Sequence, residues 1–225
     1  MKVFRYTLID IKRGKEKIIA MLLLGLLGYC YADMMSFIMG ITYVMFTAVI
    51  FQGTNFTLVT KAETGFINLL PGSDRERVAG RFLTGILYTA VSIVLGMLMS
   101  LLLYYRDKLD FEYVLEVIIA FAGVALMFGA VQNTLFFAVG ISNNKQLASL
   151  VHITPGLLFF GVTTGLSVFL EVSSLQEDPV ALYRMILKLQ DYSVAIAVVS
   201  MVMGILFSMA GIYLSEKIVS GKDYS

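Results

Sequence analysis

Six stretches of this chain are long and apolar enough to cross a lipid bilayer, and they limit the fold more than anything else in the sequence. A transmembrane helix takes roughly 20 predominantly apolar residues. In lipid the backbone polar groups must be satisfied within the segment, so such stretches are helical. The spans are expected at 18–32, 35–60, 79–105, 114–140, 147–170 and 193–215. Hydrophobic residues make up 58% of the 225, and the spans use most of that length. The chain therefore reads as one all-α integral membrane domain over 1–225, with no room for a soluble domain of ordinary size.

The polar remainder excludes several functions. A net charge of +1 offers nothing to nucleic acid. One cysteine, Cys30, makes neither an intrachain disulfide nor a cysteine metal cluster, and it is expected as a buried thiol. His152 is the sole histidine and is expected as a satisfied interfacial residue, not a metal ligand. No stretch reads G-x-x-x-x-G-K-[ST], so the chain does not bind ATP by that route. Paired acids, or a Ser/Lys or His cluster at depth, would mark an intramembrane enzyme, and none is present. The first span carries no cleavage pattern behind it and is expected to be retained.

Charge sets the orientation. Thirteen of the seventeen Lys and Arg fall on one side of the six spans: Lys2 to Lys17, Lys61, Arg75, Arg77, Arg81, Lys145, Lys217 and Lys222. The other side has Arg106, Lys108, Arg184 and Lys188. By the positive-inside rule both termini are cytoplasmic, in a multi-pass plasma-membrane protein. Residues 1–17 carry Val3, Phe4, Leu8 and Ile11 near helical spacing among basic residues, the pattern of a helix lying in the interface. At the outer side, 171–192 holds Asp178 before Pro179, then Leu182, Met185, Ile186 and Leu189 at one-face spacing. This predicts a short outer amphipathic helix.

Between the second and third spans lies a charged island, FINLLPGSDRERVAGRFL. Ser73 precedes Glu76 by three residues just before an apolar run, a capping box that starts the third span. Pro71-Gly72 ends whatever comes before it. The segment from Ala62 is expected as a short helix across the cytoplasmic face, apolar at Phe66, Ile67, Leu69 and Leu70 and polar at Lys61, Glu63 and Asn68. It reads as an ordinary headgroup-contacting loop or as a docking element, with apolar knobs inside a charged rim.

The stretch KAETGFINLLPGSDRERVAGRFL resembles the first cytoplasmic loop of small type-2 ABC exporter permeases, in which an E-x-G-x-x-x-x-L-P-x-[ST]-R-like segment leads into the third span. Glu63, Gly65, Leu70 and Pro71 match, while Gly72-Ser73-Asp74 stands where many members have a hydrophobic residue and then Ser-Arg. The layout of basic helix and six spans agrees over nearly the whole chain. The resemblance implies a permease without catalysis of its own, with ATP and Mg on a separate ABC ATPase and no cofactor on this chain. It implies a second permease copy, as a homodimer or with a close paralogue. It makes 62–77 a coupling region, with Glu63, Phe66, Ile67, Leu70, Asp74, Arg75 and Arg77 docking the ATPase. Similar small bacterial permeases, including those of phenol-soluble-modulin exporters, move peptides, so an amphipathic, antimicrobial-type peptide or other lipophilic cargo is implied.

Inside the spans, Gln132 and Asn133 lie deep in the fourth, where they either line a substrate path or make interhelical hydrogen bonds. Gly25-x-x-Gly28 and Gly161-x-x-x-Gly165 predict close helix packing. An ATP-independent secondary transporter or channel is the alternative. It would show broken helices and buried charge near mid-membrane.

Overall fold

The computed structural model describes residues 2–13, 15–57, 73–106, 109, 113–139, 145–173 and 191–221. Those residues form seven helices and no strand: α1 (Lys2–Arg13), α2 (Lys15–Met34), α3 (Phe37–Thr57), α4 (Asp74–Tyr104), α5 (Val114–Val139), α6 (Lys145–Ser173) and α7 (Ser193–Ser220). Helices α2, α4, α5, α6 and α7 are long and apolar enough to cross a membrane, and α3 is apolar over the shorter Phe37–Gly53. Residues 62–72 of the expected coupling region and 179–190 of the expected outer helix lie outside the described residues.

The start of α4 follows its cap, not the edge of hydropathy. Helix α4 begins at Asp74, well before its apolar run, because Ser73 and Glu76 form the expected capping box. The Glu76 amide donates to Ser73 Oγ at 3.3 Å, and the Ser73 amide donates to Glu76 Oε2 at 3.0 Å. With 31 residues, α4 extends about 46 Å, more than the ~30 Å hydrocarbon core requires. Its charged root, Asp74 to Arg81, is the surplus.

Helix α3 is central and packs on α2, α4, α5 and α6. The main apolar core joins Ile41, Met45 and Val49 of α3 to Met99 and Leu103 of α4, Ile118 and Ala125 of α5, and Phe159 of α6. The most extensive contact joins α5 to α7. There, a methyl added at Gly204 would sit 2.6 Å from the Gly123 carbonyl oxygen, so the two backbones touch.

Two expectations change, and the expected N-terminal helix gains detail. Cys30 is exposed, because α2 turns this side of its helix away from the bundle. Gly161 and Gly165 have nothing within 4 Å of a would-be Cβ, so that pair faces outward and packs on no described helix. In α1, Tyr6, Thr7 and Asp10 are buried while Phe4 and Leu8 are exposed. The helix is held through polar groups on one face and leaves its large apolar side chains free on the other. Gly28 does serve close packing, since a Cβ there would lie 2.6 Å from Val44.

Candidate functional site

The root of α4 is where the chain enters the bundle after the charged island, and it is tied on two sides. Asp10 of α1 is 5% exposed, and its Oδ1 lies 2.9 Å from Arg81 Nη1. Thr84 donates to the other carboxylate oxygen at 3.4 Å, and Thr7 donates to the Gly80 carbonyl at 3.2 Å. A buried carboxylate is tolerated only with such partners. Arg75 Nε approaches Glu216 of α7 at 3.8 Å, and Arg77 pairs with Asp74 at 3.1 Å. Of the residues expected to dock a partner, Asp74, Arg75 and Arg77 therefore stand together on the first turn of α4, each with an ion-pair partner inside the chain. Glu63, Phe66, Ile67 and Leu70 lie outside the described residues. Sequence reading did not single out Asp10; an acid in an otherwise basic segment was the available signal.

At the other end of α4, Arg106 Nη1 donates to Tyr29 Oη at 2.7 Å and to Asp33 Oδ1 at 3.0 Å. The Tyr29 hydrogen bond first, and then the Asp33 charge, push the guanidinium pKa up from its ordinary value. The described ion pairs thus collect at the two ends of the bundle.

Between those ends lies an uncharged polar layer. Gln132 of α5 and Gln52 of α3 are 0% and 3% exposed, and Asn133 is 2% exposed. By helix rise, Gln132 lies roughly 10 Å inside the α5 end that neighbours the α4 root, and His152 lies at similar depth from the start of α6. The Gln132 amide nitrogen donates to the His152 carbonyl at 2.6 Å, so Gln132 makes the interhelical bond that was one of its two expected roles. Three glycines make room for these side chains. A Cβ at Gly85 would meet the Gln52 amide oxygen at 2.5 Å, one at Gly129 would collide with the same amide, and one at Gly53 would collide with Gln132 and the His152 ring.

Three atoms of this layer, Gln52 Nε2, Gln132 Oε1 and His152 Nδ1, are buried without a hydrogen-bond partner among the described residues. Of the His152 ring, Nδ1 lacks the hydrogen-bond partner expected from sequence among the described residues. Each such group costs about 1–3 kcal/mol if left dry. Sequence reading also missed Gln52. The available signal was depth: Gln52, Gln132 and His152 stand at similar distances from helix ends on one side. No cluster of three or more His, Cys, Asp or Glu among the described residues could hold a metal ion.

Comparison with known families places this arrangement. A family model described as "ABC-2 family transporter protein" matches residues 7–220. The chain belongs to that family, and it is the membrane permease component of an ABC transporter. Membership implies an ABC ATPase partner. No curated protein and no solved structure matches it.

Proposed function

We propose that this permease is the membrane half of an ATP-driven exporter, working by alternating access. The family match over residues 7–220 carries the reading. Six crossings, with α3 as the second, would place both termini and the α4 root in the cytoplasm of a cell whose plasma membrane holds the protein. The thirteen-to-four distribution of Lys and Arg supports that orientation. ATP and Mg would bind a separate ATPase subunit, and hydrolysis would occur there. A second copy of this chain, or a close paralogue, would complete the translocation path.

The coupling region 62–77 would seat on the ATPase through Glu63, Phe66, Ile67, Leu70, Asp74, Arg75 and Arg77. The geometry of its described end supports a stiff transmission. The capping box leaves little play at the start of α4, and Asp10–Arg81 and Arg75–Glu216 join that root to α1 and α7. Motion of the root would therefore carry three helices together. The cargo would be an amphipathic peptide or another lipophilic molecule. The confinement of the described ion pairs to the two ends of the bundle supports this, since a charged cargo would call for counter-charge along the path.

Gentle purification from the native membrane tests the reading. An ATPase in stoichiometric amount is the expected result, and a folded permease without one refutes it. Glu63→Lys with Phe66→Ala should then weaken co-purification without unfolding the permease; unchanged recovery removes the docking assignment.

A further inference from the structure

We propose that Gln52, Gln132 and His152 form a hydratable gate, and that α6 parts from α3 and α5 at this layer to admit water from the end of the bundle that bears the α4 root. The inference deepens the alternating-access reading by naming the moving helix and the seam.

The space in the layer was made by glycines on three helices, yet the protein fills it with its own amides. Those amides lie against the glycines. Gln52 Nε2 is a donor and Gln132 Oε1 an acceptor, and neither has a partner among the described residues; nor does His152 Nδ1. A permanently dry core favours apolar groups of the same shape at such positions. Water entering between the helices would satisfy all three atoms. Opening to water supplies the partners that the protein itself does not give these atoms. The groups are uncharged, so wetting and drying them is far more easily reversed than it would be for charges at this depth.

Helix α6 is built to be the part that moves. Pro155 lies inside it and has no N–H to donate to the Val151 carbonyl, which weakens the turn beside His152. The hydrogen bond from Gln132 lands on the His152 carbonyl in that same turn. Neighbouring polar groups of this kind are what make proline tolerable in a membrane helix. On the opposite side Gly161 and Gly165 are open, so no described helix blocks an outward swing. Next to the layer, Gly156 lies against Ile50 of α3, with a would-be Cβ 2.5 Å from the Ile50 Cδ1. Ile50 is half-buried while α6 is closed, and its remaining cover is lost when α6 leaves.

The test uses the full chain in native-lipid vesicles without ATPase or cargo, with Cys30→Ser and Ile50→Cys. The rate of labelling by a small water-soluble maleimide reports access to the seam. Replacing both amides by near-isosteric apolar groups, Gln52→Met with Gln132→Met, should slow labelling at least tenfold and raise the thermal midpoint. His152→Phe alone should slow it less, in the same direction. Unchanged labelling in both variants overturns the gate. So does faster labelling with a lower midpoint, or failure of the double variant to fold, since each would show a static layer whose hydrogen bonds, or a trapped water, hold the helices together. Because no ATPase enters the assay, loss of the gate and loss of the exporter reading are separate results.

Discussion

Two faces of α5 meet their neighbours in opposite ways. Toward α7 the helix presents Gly123, and the contact is backbone on backbone: a Cβ there would overlap the Ser200 carbonyl group. Toward α3 and α6 it presents Gly129 and Gln132, and the contact is with the mobile ends of amide side chains. Both faces use glycine to bring helices together. One leaves nothing that can yield, and the other leaves polar groups that can rotate, pair with water or separate. Lipid supplies no hydrophobic force between helices, so close packing and hydrogen bonds decide which contacts hold. The α5–α7 contact belongs with the tied α4 root as the part of the permease that keeps its internal contacts, and the α6 seam is the part free to change.

Substitutions that exploit this difference should fall in a clear order. Gly123→Val should cost at least about 3 kcal/mol, because the neighbouring backbone has no way to move aside. Unfolding by detergent titration reads it, and a near-normal midpoint would dissolve the contrast. Asp10→Ala strikes the other fixed contact and should cost about 2 kcal/mol, since Arg81 loses a buried, hydrogen-bonded partner while keeping some solvent. Hydrogen exchange should rise first in α1; a uniform rise across the bundle would mean α1 is no separate unit.

Gly129→Ala, a smaller addition on the same helix, displaces only the end of Gln52 and should cost about 1 kcal/mol or less, less than the same Gly→Ala change at Gly123. A cost matching that of Gly123→Ala would show the polar seam to be as rigid as the α7 face. Smallest of all, Gly161→Ala meets nothing and should shift stability by no more than about 0.5 kcal/mol. A larger loss in the assembled transporter, absent from the isolated chain, would locate a partner on that side of α6.

The parts of the fold that could be read in advance are those governed by a few neighbouring residues. The capping box at Ser73 and Glu76 is a local hydrogen-bond pattern, so its sequence signature sufficed. The apolar runs located the helices and some of their ends, as at Val114, Val139 and Ser193, but α4 starts earlier, at its cap, and α7 continues to Ser220, because a helix ends where its last carbonyls find partners, not where lipid ends. The site was harder. Gln132 was marked by its depth, whereas Gln52, at a similar depth in its span, was not singled out. Its meaning depends on Gly85 and Gly129, which belong to two other helices. Cys30 and the Gly161/Gly165 pair were misjudged for the same reason. In a uniformly apolar helix the residues around the circumference are nearly equivalent, and the pattern does not say which side meets protein.

Membrane residence and helical class follow from apolar length and the need to satisfy backbone groups in lipid. These depend on the solvent, and the solvent acts on each segment separately. Whether Gly123 touches a backbone or Gly161 touches nothing, whether Asp10 finds Arg81, and whether three polar side chains converge on one layer were decided by how the helices rotate about their axes and choose neighbours. That choice is made by packing between segments distant in sequence, and the difference between a fixed contact and a seam that can open exists only there.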